Sequence, residues 1–188
     1  KIIDEKTKEV VGKTEVTLTR SYGSESLLGN LIADAIVYSA VSKGEKPDFA
    51  VTNSGGIRTD IEKGNITQKD IIGAFPFPNA LTVLNLSGKD IISMFEHAAG
   101  LTNGVLQVSH GLVMEYDPSK EVGSRITKLE LNGKKIDPKK TYRVATNDFL
   151  ANGGDGFSQF LSGTERNDVN GYMMYNAIMD YLKYKKVV

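Results

Sequence analysis

Cysteine is absent from the 188-residue chain, and only two histidines, His97 and His110, occur. Without cysteine there are no disulfides, no thiolate nucleophiles and no cysteine-type zinc sites. Neither histidine has a partner His or Asp at metal-ligand spacing, so each reads as a structural residue before a metal ligand. No apolar run approaches the roughly 20 residues of a membrane span. An excess of one charge is lacking too, because 23 Lys plus Arg balance 23 Asp plus Glu. That balance argues against a nucleic-acid or anionic-membrane surface, although a few arginines gathered locally would still hold one anion. No carboxylate pair stands out for acid–base work, and no Gly-x-Ser-x-Gly elbow occurs. The chain carries no signal peptide and does not begin with Met. It therefore reads as a piece of a longer protein.

What is present suits a folded domain. With 40% hydrophobic residues, a chain of this length buries about 70% of its unfolded surface. Residues 1–12 are charged and read as a linker or peripheral segment, and residues 13–188 as one domain. Val16 to Arg20 alternates apolar and polar residues, as a half-buried strand does. Leu27 to Ser42 carries one apolar helical face, with Ser24 or Ser26 as N-cap and Gly44 beyond its end. Thr67 to Asp70 and Ser87 to Asp90 are capping-box patterns that open two further helices. Strands are expected at Phe49–Thr52, Ala80–Leu86, Gly111–Tyr116, Ile126–Leu131 and Tyr142–Thr146, with Asn132-Gly133 as a hairpin turn. Tyr172 to Tyr184 reads as a last helix. This irregular interleaving predicts an α+β fold, a mixed sheet flanked by helices.

Three loops have the composition of ligand sites. In Asn53-Ser54-Gly55-Gly56-Ile57-Arg58 a strand runs into paired glycines that expose backbone N–H groups, and Arg58 follows at reach of an anion. An ordinary Gly-Gly turn with a surface arginine would look the same. Ala74-Phe75-Pro76-Phe77-Pro78-Asn79 holds a proline-fixed segment that presents one phenylalanine outward, either as a stacking platform or as a packing corner. In Asn147-Asp148-Phe149-Leu150-Ala151-Asn152-Gly153-Gly154-Asp155-Gly156-Phe157, three glycines allow a backbone that few sequences adopt. Asp155 there could accept hydrogen bonds from a ribose diol or coordinate calcium, and Phe149 and Phe157 are stacking faces or core anchors. Arg20 is the remaining cation near a loop.

Taken in order, and with Glu25-Ser26-Leu27-Leu28-Gly29-Asn30-Leu31-Ile32-Ala33-Asp34-Ala35, these loops resemble the C-terminal domain of the 5′-nucleotidase family. That family includes bacterial UDP-sugar hydrolases, 2′,3′-cyclic-nucleotide phosphodiesterases and animal ecto-5′-nucleotidase. The resemblance implies an N-terminal metallophosphoesterase domain in cis, outside this chain, holding two divalent metal ions, while this domain binds the substrate and no metal. It implies that Asn53 and Arg58, with Gly55 and Gly56 between them, contact a nucleotide or nucleoside. It further implies that Phe77 and Phe149 sandwich the base and that Asp155 holds the ribose hydroxyls. Ser24 stands where several members carry an arginine, and Arg20 matches another arginine of some bacterial members, so the phosphate grip is expected to differ in shape. An extracytoplasmic location also follows from the family. The alternative is a binding module for a nucleoside, sugar or protein, detached from catalysis.

Overall fold

Ser26 starts the first long helix, α1 (Leu27–Ser42), by accepting a hydrogen bond from the Gly29 N–H on its side chain, a cap that stabilises a helix by about 1 kcal/mol. The computed structural model describes residues 7–101 and 104–188. In it α1 follows β1 (Val10–Thr14), and β2 (Phe49–Asn53), β3 (Gly64–Thr67) and α2 (Gln68–Ala74) come next. Thr67 and Asp70 form the expected reciprocal capping box of α2. After β4 (Ala80–Ser87), Ser87 caps α3 (Gly88–Gly100). The remainder comprises β5 (Leu106–Val108), β6 (Leu112–Tyr116), β7 (Ile126–Leu131), β8 (Lys134–Lys135), β9 (Thr141–Asn147), α4 (Asp148–Ala151), β10 (Thr164–Met173) and α5 (Met174–Lys185).

Five strands form the central sheet in the order β10-β4-β9-β2-β5. Only β2 and β9 run parallel in it, with Phe49 opposite Val144 and Ala50 opposite Ala145; the other pairs are antiparallel. The sheet is thus mixed, as expected. Side chains alternate across it. Ala50, Leu81, Val83 and Ala145 join one core with α1, α2 and α5, among them Ile32, Ile71 and Ile178. Phe49, Val51, Leu84 and Val144 point the other way, into a second core with Ile91, Met94 and Phe95 of α3. The three-stranded sheet β6-β7-β8 closes that second core through Leu112 and Leu129, joined by Ile136 just beyond β8. At its β7–β8 turn Asn132 (φ 50°) and Gly133 (φ 75°) are both left-handed, as a two-residue hairpin requires.

Some elements differ from the sequence pattern. The strand expected at Val16–Arg20 lies earlier, at β1, which pairs with β3. Of the expected stretch, Leu18 alone bridges, to Ile61, while Val16 is exposed. Residues 10–12 of the segment expected as linker or peripheral form the start of this strand, and residues 1–6 lie outside the described residues. No pattern announced β10, because TERNDVNGYM is an edge strand made mostly of exposed polar residues.

Candidate functional site

Two parallel neighbours, β2 and β9, end at Asn53 and Asn147, and both lead into the glycine loops. Crevices beyond the carboxyl ends of adjacent parallel strands are where open sheets tend to bind ligands. The two asparagines meet there. Asn147 donates from Nδ2 to Asn53 Oδ1 at 3.1 Å, and its own Oδ1 accepts from the Leu150 N–H at 2.9 Å, which caps α4. One buried amide therefore locks the start of one loop to the start of the other.

The crevice is a cleft of about 350 Å³ lined by Tyr22, Asn53, Gly55, Arg58, Phe77, Asn79, Phe149 and Asp155. Six of the eight residues singled out from the sequence thus converge. Gly56 and Arg20 are not in the lining. Gly56 is buried behind it, where a Cβ would come within 3.1 Å of the Phe75 ring. Arg20 stands one layer back, its guanidinium 4.7 Å from the centroid of the Tyr22 ring and its backbone N–H on Asp60. Tyr22 and Asn79 were not anticipated. Both sit two residues beyond a residue that was, Arg20 and Phe77.

Burial sorts the aromatic residues into two jobs. Phe75 and Phe157 are 1% exposed and serve as core anchors, whereas Phe77 and Phe149 are 41% and 39% exposed and face the cleft. The arrangement therefore presents two π faces, one carboxylate and one cation. Arg58 donates to the Gly55 carbonyl at 3.1 Å, and no carboxylate among the described residues pairs with it. Its other donors are free for an anion. Asp155 lies across the cleft, with Asn53 Nδ2 at 3.5 Å from its Oδ2.

Polar side chains from other elements hold each wall. On the Arg58 side, Gln107 of β5 is 1% exposed. Its Nε2 donates to the Ser54 hydroxyl (2.9 Å) and to the carbonyls of Ser24 (3.0 Å) and Ser21 (3.3 Å). Its Oε1 accepts from the backbone N–H and hydroxyl of Ser26. A single amide thus ties the Tyr22 loop, the Asn53 turn and the α1 cap together. The signal for it in the sequence is faint, a lone amide inside the apolar run Val105-Leu106-Gln107-Val108.

On the Asp155 side, Asp155 itself has φ 54°, followed by Gly156 at 79° and preceded two residues earlier by Gly153 at 82°. Non-glycine residues rarely occupy this region, and doing so costs about 1 kcal/mol or more. Two outside groups brace the loop. Arg166 of β10 donates to the Ala151 carbonyl (3.2 Å) and to Asn152 Oδ1 (2.9 Å), and pairs with Asp168 at 2.9 Å. Burial pushes the Asp168 carboxyl up, but hydrogen bonds from Arg166 and Thr82 outweigh it and hold the group below its ordinary value. His97 of α3 is the second brace, its Nε2 lying 2.9 Å from the Asp155 carbonyl.

Metal binding has little to work with in this chain. Among the described residues no group of three or more His, Asp or Glu side chains could hold a metal ion, and the cleft lining offers one carboxylate. Nor is any helix among the described residues long and apolar enough to cross a membrane.

Comparison with known proteins agrees with the geometry. The family model described as "5'-nucleotidase, C-terminal domain" matches residues 8–162. The crystal structure of a 5′-nucleotidase precursor from Thermus thermophilus superposes with a TM-score of 0.91 at 35% identity, covering 100% of this chain and 39% of that one. An apyrase of Tabanus yao is 33% identical over 208 residues, covering 99% of this chain and 37% of its own length. A snake venom 5′-nucleotidase of Macrovipera lebetinus is 31% identical over 198 residues, covering 92% and 48%. The chain spans less than half the length of each. With the model matching most of its length and its whole fold shared with a 5′-nucleotidase, the chain belongs to the 5′-nucleotidase family, as its C-terminal domain.

Proposed function

We propose that this chain is the substrate-recognition domain of a dimetal 5′-nucleotidase-type phosphohydrolase, and that its cleft binds a nucleotide or nucleoside. The observation that carries the reading is the convergence of Asn53, Arg58, Phe77, Phe149 and Asp155 on one cleft from three separate loops. Each residue offers a group that such a ligand needs. Phe77 and Phe149 are rigidly mounted π faces for a flat base, and each stacking contact stabilises a bound base by roughly 1–3 kcal/mol. The Asp155 carboxylate accepts from a vicinal diol, while Asn53 and Gly55 line the edge between the sugar and the anion. Arg58 carries the unpaired positive charge for a phosphoryl group. Arg20, resting on Tyr22, supports the same region electrostatically without lining it.

The cleft holds the substrate and turns its phosphoester outward. Hydrolysis belongs to a preceding metallophosphoesterase domain, which would supply two divalent metals to activate water. Residues 13–188, together with residues 10–12 of β1, are assigned to the recognition domain, and the charged residues before them to a linker or peripheral segment toward that partner in cis. That the relatives extend well beyond the matched region favours this division of labour over a detached binding module. The occurrence of relatives in snake venom supports an extracytoplasmic location.

Calorimetric titration with adenosine and AMP tests the reading. Phe77→Ala and Phe149→Ala should each weaken both ligands by roughly 5- to 100-fold. Arg58→Ala should weaken AMP and leave adenosine nearly unchanged. Unaltered curves for both phenylalanine variants would remove the base sandwich.

A further inference from the structure

His97 makes three contacts with three consecutive residues of the glycine loop. Its Nε2 is 2.9 Å from the Asp155 carbonyl, a Cβ on Gly156 would come within 3.2 Å of its ring, and its ring meets Phe157 edge-on with centroids 4.7 Å apart. A carbonyl oxygen only accepts, so Nε2 carries the proton and donates. The platform beneath it is fixed. Phe95 and Ala98 of α3 are fully buried, and the neighbouring Glu96 carboxylate accepts the backbone N–H groups of Arg125 (2.8 Å) and Ile126 (3.0 Å).

Asp155 needs such a brace because of its own backbone. At φ 54° between two left-handed glycines, the loop has ready alternatives, and the unbraced chain would distribute among them. A carboxylate free to move with its backbone would meet a ligand in many orientations and pay ordering entropy on binding.

We propose that His97 is a positioning residue for the Asp155 carboxylate, so that the recognition of a ligand's vicinal diol depends on a side chain outside the cleft. The proposal rests on the reading of Asp155 as the diol acceptor. His97 touches no ligand itself. It acts through the backbone of residues 155–157, and what it confers is discrimination between sugars with and without the diol.

The test compares adenosine with 2′,3′-dideoxyadenosine on the intact chain. Wild type should favour adenosine by about tenfold, the worth of one hydrogen bond to a charged group. Asp155→Ala should abolish that preference. His97→Ala should bring the ratio to within about twofold of one, while base stacking, and hence dideoxyadenosine affinity, stays near wild type. His97→Gln, which returns a donor near the Nε2 position, should restore most of the ratio. A role confined to fold stability would weaken both ligands together and leave the ratio alone.

Hydrogen exchange without ligand provides an independent reading. The Gly153 and Phe157 amides, bonded to the Leu150 and Gly154 carbonyls, should exchange at least about tenfold faster in His97→Ala, with α3 unchanged. A preserved ligand ratio in His97→Ala, or unaltered loop exchange, would overturn the proposal. No preference in wild type would instead remove the diol role of Asp155, and loop exchange alone would then decide whether His97 orders the loop.

Discussion

The Asn53–Arg58 wall is a short turn whose underside is core, with Ser54, Gly56 and Ile57 all buried and Ile57 packed among the side chains of α1, α2 and α5. The Gly153–Phe157 wall is a left-handed loop that enters the core only at its end, where Phe157 joins the opposite cluster beside Phe95 and Phe160. The first wall owes its shape to buried hydrogen bonds that converge on one amide. The second owes it to glycines that permit the shape and to side chains from α3 and β10 that select it. The two walls are thus anchored on opposite faces of the same sheet and meet at the Asn53–Asn147 contact. A rigid arm for the anion and a braced, more pliant arm for the sugar is the division this suggests.

Gln107→Ala gives the largest expected effect, and it should fall on stability. It takes away the acceptor of the buried Ser26 N–H and the donor to the Ser21 and Ser24 carbonyls, and it leaves the Ser54 hydroxyl only its bond to the Val105 carbonyl. Each unmet buried partner costs about 1–3 kcal/mol, and partial relaxation should leave a net loss of about 3 kcal/mol in urea denaturation. A loss under about 1 kcal/mol would mean that the first wall is no more rigidly held than the second.

Gly154→Ala probes the other wall and should act mainly on binding. A Cβ at Gly154 would sit 2.6 Å from two carbons of the Phe149 ring and from the Phe149 carbonyl oxygen. The ring must swing and the loop must shift, an overpacking of about 1–2 kcal/mol in stability. Adenosine affinity should drop about thirtyfold as the stacking face is lost. A stability loss as large as that of Gln107→Ala with adenosine affinity unchanged would erase the contrast between the walls.

Legibility in the sequence followed the same contrast. Elements with a local chemical cause were readable, such as α1 from its Ser26 cap and α2 from the Thr67–Asp70 box. Six of the eight cleft-lining residues were readable because Asn-x-Gly-Gly, Pro-Phe and Gly-Gly-Asp-Gly are unusual local compositions whose order resembles one family. Residues that act across long sequence separations were not. Gln107 reaches back to Ser21 and Ser26, and His97 reaches forward to Asp155. No local pattern encodes either contact. His97 reads in the sequence as a structural residue with no partner at metal-ligand spacing, and nothing beside it marks the distant carbonyl that its N–H meets. β10 stayed hidden because an edge strand with little to bury carries no hydrophobic alternation.

The smallest expected effect belongs to the far end of β2 and β9, and it serves as the control for both walls. There Arg143 pairs with Glu45 at 2.7 Å and also donates to the Glu165 carbonyl. Burial raises the Glu45 carboxyl, but hydrogen bonds from Asn167 and Arg143 and the arginine's charge outweigh it and hold the group below its ordinary 4.5. A depressed carboxyl stabilises the fold above the unfolded value, and that stability is lost as pH falls through the folded value. Wild type should therefore weaken below about pH 4.5, with Asp168, also depressed, contributing to the same slope. Glu45→Gln should cost about 1 kcal/mol at pH 7 and flatten, without abolishing, the acid slope of the urea midpoint. Adenosine affinity should not change, because the cleft lies at the opposite ends of these strands. A change in affinity on this substitution would mean that the sheet transmits strain to the cleft and that neither wall is set by its local braces alone.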